Sequence, residues 1–221
     1  MMNRIEIIKK RIEEGLSRSA HNIDHVMRVF NLSKIIAQTE LDVNINILEP
    51  AALLHDIARS IESNDKSGKT DHAVLGSEMA VDILKELHYS SSEIKQIQHC
   101  ISSHRYRTNN IPQTIEAKIL FDADKLDVIG SVGIARTFML AGQFGQRITA
   151  TTNDEYNEKN IVNNGRIKDV SKHSPYMEYE FKFKKIPQKL FTKEGKRIGA
   201  EKLKYMEQFF SILDKELNCE I

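Results

Sequence analysis

Apolar residues along this chain recur at steps of three and four, the period of an amphipathic helix, without the alternation expected of strands. The pattern predicts an all-α fold. Ile5, Ile8, Ile12 and Leu16 form a first stripe behind Asn3, a candidate cap, and His25, Val29, Leu32 and Ile36 form a second. His25 therefore falls on a core-facing stripe. A third helix is predicted with Pro50 in its first turn, where a missing amide hydrogen costs little. It runs on through AALLHDIAR, so that His55 and Asp56 stand mid-helix. Asp71 is placed to cap a fourth helix from His72. That helix has Leu75, Met79, Ile83 and Leu87 on one stripe. The small face of His72, Gly76 and Ala80 permits close helix approach. The serines at 90–92 precede a fifth helix with the stripe Ile94, Ile97, Ile101 and His104. Pro112 precedes a sixth through AKILFDADKLDVIG, in which Asp124 and Asp127 are i,i+3 neighbours.

From about 147 to 175 the chain turns polar and rich in Asn, Thr and Lys, which reads as a long loop or flap. Helical periodicity then returns, with Leu203, Met206, Phe210, Leu213 and Leu217 on a stripe that must pack on something. No fixed-period repeat and no Pro/Gly/Ser-rich linker is present. The expectation is therefore one domain over 1–221, with a motif-bearing core at about 19–145 and C-terminal covering helices at about 176–218.

At 221 residues and 40% apolar content the chain can fill a real core. Thirty-two Lys and Arg against thirty-one Asp and Glu leave a net charge of +1, Trp is absent, and no basic stripe is interleaved with aromatics. DNA or RNA binding is not expected. Two distant cysteines, Cys100 and Cys219, make no disulfide framework and fit a reducing, cytoplasmic setting. MMNRIEIIKKRIEEG lacks the apolar region of a signal peptide, and no run approaches the roughly 18 apolar residues of a membrane span. A soluble chain is expected.

Within this polar balance, the His55-Asp56 pair lies between Leu54 and Ile57, an apolar setting that demands a partner for both groups. Backbone hydrogen bonds would satisfy a lone pair of this kind. A divalent cation would also do so, turning costly buried groups into ligands. The pair belongs to a wider ordered set: His25 in HVMRV, His55-Asp56 in LLHDIAR, His72 in DHAVLG, His104 in ISSHR, and Asp124 in DADKLD. In order and spacing, from about Ser19 to Gly145, this set resembles the HD superfamily of metal-dependent phosphohydrolases. SAHNIDHVMRV and DADKLDVIG are most similar to its small single-domain branch, which includes nucleotide pyrophosphohydrolases.

The resemblance implies an HD-type helical bundle with extra C-terminal helices, and one divalent ion held by His25, His55, Asp56 and Asp124. Mixed nitrogen and oxygen donors suit Mn, Fe, Co, Ni or Mg over a closed thiolate zinc site. Asp56 and Asp124 are the candidate catalytic carboxylates, placed to orient a water. His72 and His104 form a second tier, which in the superfamily either binds a second metal or contacts phosphate. The binuclear phosphodiesterase branch usually carries His-His where this chain has His104-Arg105, which counts against a second ion.

Substrate phosphate finds candidate cations in Arg59, Lys125, Arg18 and Arg105, and Asp127 either binds substrate or supports Asp124. Arg28 is a candidate partner for a carboxylate that orients the ligand helix. His21, four residues before His25, is placed to line the mouth. His88, His99 and His173 read as surface histidines.

The implied activity is hydrolysis of a phosphoester or phosphoanhydride of a small phosphorylated substrate, a nucleotide first. The alternatives are a cyclic-nucleotide or cyclic-dinucleotide phosphodiesterase and a non-catalytic metal-containing regulatory module. A (p)ppGpp hydrolase ranks lower, because IARSIE stands where such enzymes carry a Glu-Asp pair.

Overall fold

The computed structural model describes residues 3–16, 23–105, 110–148, 161–162 and 166–220. It is an all-α fold. One two-residue antiparallel ladder joins β1 (Ile161–Val162) to β2 (Arg166–Ile167) within the stretch expected to be a loop. The chain divides into two compact units, residues 1–124 and 125–221.

The first unit contains α1 (Arg4–Leu16), α2 (Ile23–Ala37), α3 (Ile45–Leu54), α4 (Arg59–Asn64), α5 (His72–Glu86), α6 (Ser91–Ser103) and α7 (Ile115–Asp127) as far as Asp124. Its centre is α3, which packs against α1, α2 and α6, while α5 lies along α6. The sequence explains that placement: Ile47, Leu48, Pro50, Ala51, Ala52, Leu53 and Leu54 are all buried, and a stretch apolar on every side, as from Pro50 to Leu54, belongs inside.

Side-chain caps set the helix starts. Asn3 accepts from the Ile5 amide and Asp71 from the Ala73 amide, while Ser90 and Glu93 form a reciprocal capping box.

The structure corrects the third helix in two respects. It starts behind Asn44, whose side chain accepts from the Asn46 amide, so Pro50 stands in the sixth helical position and not the first turn. It also stops at Leu54. His55 is the C-cap, and the bonds Ile57 N–H to Leu54 C=O (3.2 Å) and Arg59 N–H to Asp56 C=O (2.9 Å) tighten the chain before α4. His55 and Asp56 thus occupy a helix junction rather than a helix interior.

On α5 the small face is the buried one. His72, Gly76 and Ala80 go inside together with Leu84, and Leu75, Met79 and Ile83 are half-buried. A Cβ on Gly76 would lie 3.5 Å from Ile57 Cγ2 and 3.6 Å from the His55 carbonyl oxygen, so α5 runs in van der Waals contact with the junction. Leu84 is fully buried. Leu84→Ala is expected to cost about 2–5 kcal/mol, read as a lower urea midpoint at unchanged m. A change below about 1 kcal/mol would show that this face is not tightly packed.

The second unit holds the end of α7, then α8 (Gly130–Gln143), α9 (Pro175–Phe181) and α10 (Lys193–Leu217). Both α9 and α10 pack on α8. Gly199 lets α10 pass close to its neighbours, since a Cβ there would meet Leu190 Cδ1 at 2.8 Å. The Lys202 ammonium donates to the Leu126 carbonyl at 2.7 Å. Met206 and Phe210 of the C-terminal stripe are buried, with Phe210 stacked on Tyr179 at 4.4 Å, whereas Leu217 is exposed. The periodicity of α10 thus outruns its packing. Among the described residues, no helix is long and apolar enough to cross a membrane.

Candidate metal centre

Five segments of the first unit deliver the site. His25 comes from the first turn of α2, His55 and Asp56 from the α3–α4 junction, His72 from the start of α5, His104 from the C-cap of α6, and Asp124 from α7. Each of these six side chains is buried.

His55 Nδ1 lies 2.7 Å from the Ala52 carbonyl oxygen. A carbonyl only accepts, so Nδ1 carries the proton and Nε2 of the neutral ring keeps its lone pair. That Nε2 faces His25 Nε2 at 3.3 Å. His25 Nε2 is in turn 3.6 Å from Asp56 Oδ2 and 3.4 Å from Asp124 Oδ1. Burial, opposed by the Asp56 charge, lowers the His55 pKa to about 4, so the ring is in its ligand form at neutral pH. Burial acts to raise the Asp56 carboxyl, but the neighbouring His55, His25 and His104 rings hold it well below the usual carboxylate range.

Asp56 also faces the other way. Its Oδ1 is 3.3 Å from His72 Nε2 and 3.7 Å from His104 Nε2, and those two nitrogens are 3.3 Å apart. His104 Nδ1 donates to the Ile101 carbonyl at 2.6 Å, repeating the arrangement at His55. Burial and the His104 charge lower the His72 pKa to about 4 against the pull of Asp56.

Among the described residues, two groups that could hold a metal ion share one carboxylate: His25, His55 and Asp56, and Asp56, His72 and His104. Asp124 joins the first through its contact with His25. Ligands about 2.1 Å from a common ion stand roughly 3.0 Å apart in an octahedron and 3.4 Å in a tetrahedron. His25 Nε2 stands 3.3 Å from His55 Nε2 and 3.6 Å from Asp56 Oδ2, separations of that size, and Asp124 Oδ1 lies 3.4 Å from the same nitrogen. The donors are imidazole nitrogen and carboxylate oxygen, a set suited to a divalent cation.

Sequence reasoning missed Glu62. Its Oε2 accepts from Arg59 Nη1 at 2.8 Å and lies 2.8 Å from His72 Nδ1, and its Oε1 is 2.8 Å from Arg105 Nη1. Arg105 also pairs with Asp71 at 2.9 Å. Arg59 and Arg105, expected at phosphate, thus both engage Glu62. The RSIE spacing would make Arg59 and Glu62 i,i+3 neighbours on a helix, a signal available but not used, and nothing local ties Glu62 to His72. Glu116 was missed as well: it accepts from the Asn44 amide at 2.8 Å, fastening α7 to the start of α3.

Lys125 and Asp127 follow Asp124 on α7 and fall in the second unit. Both are buried, and Asp127 accepts from Arg136, another unforeseen partner, at 3.0 Å.

Two of the surface histidines need correction. His99 is half-buried, its Nε2 accepting from the Gln113 amide at 3.0 Å. His173 is buried and lies 3.0 Å from Glu178. In both cases a contact across a loop consumes the ring, which periodicity on one helix does not reveal. His88 is exposed at the end of α5, in a left-handed conformation with φ of 58°. Arg18 and His21 lie outside the described residues.

Residues 22–129 match the model of the HD domain. Over 203 residues, 90% of its length, the chain is 27% identical to the uncharacterized protein YpgQ of Bacillus subtilis (strain 168), covering 85% of that protein. The crystal structure of an HD-superfamily hydrolase from Bacillus thuringiensis is similar over 97% of each chain, at 28% identity and a TM-score of 0.72. The crystal structure of B. subtilis YpgQ in complex with ADP shares the fold over 96% of this chain and 94% of that one, at 24% identity and a TM-score of 0.69. With the His and Asp positions of the HD pattern gathered at one buried centre, residues 22–129 form an HD domain, and the chain is similar to hydrolases of the HD superfamily.

Proposed function

We propose that this chain is a metal-dependent phosphohydrolase acting on a phosphoester or phosphoanhydride bond of a nucleotide. The observation that carries the reading is the convergence of His25, His55, Asp56 and Asp124 around the His25 Nε2 position, at 3.3 to 3.6 Å. These four side chains would hold one divalent ion, with Mn, Fe, Co, Ni and Mg all compatible with the donors. Such an ion, when bound, supplies Lewis acidity toward a phosphoryl oxygen and lowers the pKa of a water. Support for a nucleotide comes from the ADP held by the related YpgQ.

The protein's own groups prepare the site before substrate arrives. Ala52 holds the His55 ring in one tautomer, so its donor nitrogen needs no reorganisation. Asp56 stays ionised despite its burial. Asp56 and Asp124 present carboxylate oxygens that can accept a proton or hydrogen bond from the attacking water. Lys125 and Asp127 remain candidates for the substrate side, together with Arg59, His72 and His104.

A two-ion version, closer to the phosphodiesterases, is favoured by one specific observation: Asp56 Oδ1 faces His72 and His104 in a second donor group. Arg105, where the binuclear branch carries a second His, pairs with Glu62 and Asp71 and adds no donor to that group.

The test is phosphate and pyrophosphate release from a nucleotide panel by chelator-stripped protein resupplied with Mn, Mg, Co or Ni, with bound metal counted per chain. Metal-dependent turnover is expected. One ion per chain supports the single-ion site and two support the shared carboxylate. Bound metal without turnover of any nucleotide removes the nucleotide reading, and absence of bound metal removes the centre.

A further inference from the structure

His72 differs from the other histidines of the cluster in what holds its outer nitrogen. His55 and His104 each give Nδ1–H to a backbone carbonyl, of Ala52 and Ile101, which fixes their tautomers irrevocably. His72 Nδ1 instead meets two side chains, the acceptor Glu62 Oε2 at 2.8 Å and the donor Arg59 Nη1 at 3.0 Å. Either tautomer can therefore be satisfied. With Nδ1–H given to Glu62, the inner Nε2 carries a lone pair toward the cluster. With Arg59 donating to Nδ1, Nε2 carries the proton and donates to Asp56 Oδ1, 3.3 Å away.

We infer that Glu62 is the positioning residue that selects between these states, holding Nδ1–H so that His72 Nε2 serves as a cation ligand beside Asp56. This rests on the metal-centre reading above and adds to it the group that makes His72 part of that centre.

Glu62 is well braced for the task. Its other oxygen, Oε1, is ion-paired with Arg105 at 2.8 Å, and the same Arg105 nitrogen reaches Asp71 Oδ2 at 2.9 Å. Asp71 in turn caps α5, the helix that His72 opens. The ring is thus held at its backbone and at its outer nitrogen by one closed circuit of charges. The short connection between α4 and α5 is also tied, because Asp65 accepts from the amides of Ser67, Lys69 and Thr70. A carboxylate that orients a ligand imidazole in this manner raises its basicity, and losing one typically lowers metal affinity 10- to 100-fold.

The experiment uses the full chain, labelled with ¹⁵N-histidine and titrated with Zn²⁺ at pH 7.5 while ring nitrogens are read by long-range ¹H–¹⁵N correlation. In the wild type, Zn²⁺ should leave His72 with Nδ1 protonated and Nε2 bearing no proton. Glu62→Gln keeps the volume but removes the negative charge that faces Arg59, Arg105 and His72 Nδ1–H. It should lose that signature and bind Zn²⁺ at the His72 position 10- to 100-fold more weakly. Glu62→Asp, the second variant, should restore the Nδ1–H form in part. The His55 ring, whose bond to Ala52 does not involve Glu62, reports folding in the same spectrum. Wild-type protein that keeps Nε2–H on His72 throughout the titration, or a folded Glu62→Gln with wild-type tautomer and affinity, would overturn the inference. Because the spectrum needs no substrate, failure of the nucleotide panel with an intact His72 signature would count against the proposed activity alone.

Discussion

Asp56→Ala is expected to lose bound metal and hydrolysis together while keeping its helical content. The carboxylate belongs to both donor groups of the cluster, Oδ2 toward His25 and Oδ1 toward His72 and His104. Its removal leaves imidazole nitrogens facing one another with half the anionic charge of the proposed four-ligand set, so a divalent ion loses both a bond and its charge balance. Turnover should fall to background, a loss of at least roughly 10³-fold. The fold is less exposed to the change, because it is the Asp56 backbone carbonyl that bonds the Arg59 amide at the junction, and alanine retains that carbonyl. Asp56→Asn should fail in the same way, since an uncharged amide of equal size cannot replace the anion. Metal analysis, phosphate release and far-ultraviolet circular dichroism on the same preparations check this. A folded Asp56→Ala protein that still turns over substrate would sink the site assignment.

Stability of the metal-free chain should fall as pH is lowered from about 6.5 toward 4. His55 is held near a pKa of 4 in the folded chain against 6.5 as the ordinary value, chiefly by burial, and His72 is lowered to about 4 as well. The unfolded chain therefore takes up protons first as the medium acidifies. The contribution is fully present above pH 6.5 and is lost progressively down to about pH 4. At about 1.4 kcal/mol per pH unit, His55 alone accounts for roughly 3 kcal/mol across the window. His72 moves in the same direction. The Asp56 carboxyl, displaced downward from 3.8, loses its contribution only at lower pH and does not mask the effect. Urea unfolding of chelator-stripped protein at pH 7.5, 5.5 and 4.5 reads the slope. A flat profile would show that His55 is not buried in its neutral form. In metal-loaded protein, protons and the cation compete for the same Nε2 atoms, so metal release should track the same window.

Much of this was open to reading from the residues. The helix starts at Asn3, Asp71 and Ser90 are local events, in which a side chain meets an amide two or three positions on. The small face of α5 announced a close approach, and Gly76 indeed lies against the His55 carbonyl. The His and Asp segments were legible because their order along the chain is distinctive.

The third helix was misread because an apolar period records burial averaged over a turn. Leu54 and Ile57 are apolar whether the chain between them is α-helical or tightened into a junction. Glu62 escaped because its importance arises from α4 packing beside α5, a contact that no short window contains. Arg136 is hidden in the same way, nine residues beyond its partner Asp127 and on a different helix.

The fastening of α7 to α3 has one more consequence. Glu116 grips the Asn44 amide, and from that clamp two helices run to the cluster, one stopping just short of His55 and Asp56 and the other carrying Asp124 eight residues further along. They act as two gauges measured from a single datum. One residue inserted between Glu116 and Asp124 would turn the carboxylate by about 100° and advance it by about 1.5 Å, taking it out of reach of His25. Length drift in descendants of this chain should therefore collect ahead of Glu116, while the span from Glu116 to Asp124 stays constant even where its apolar residues are exchanged.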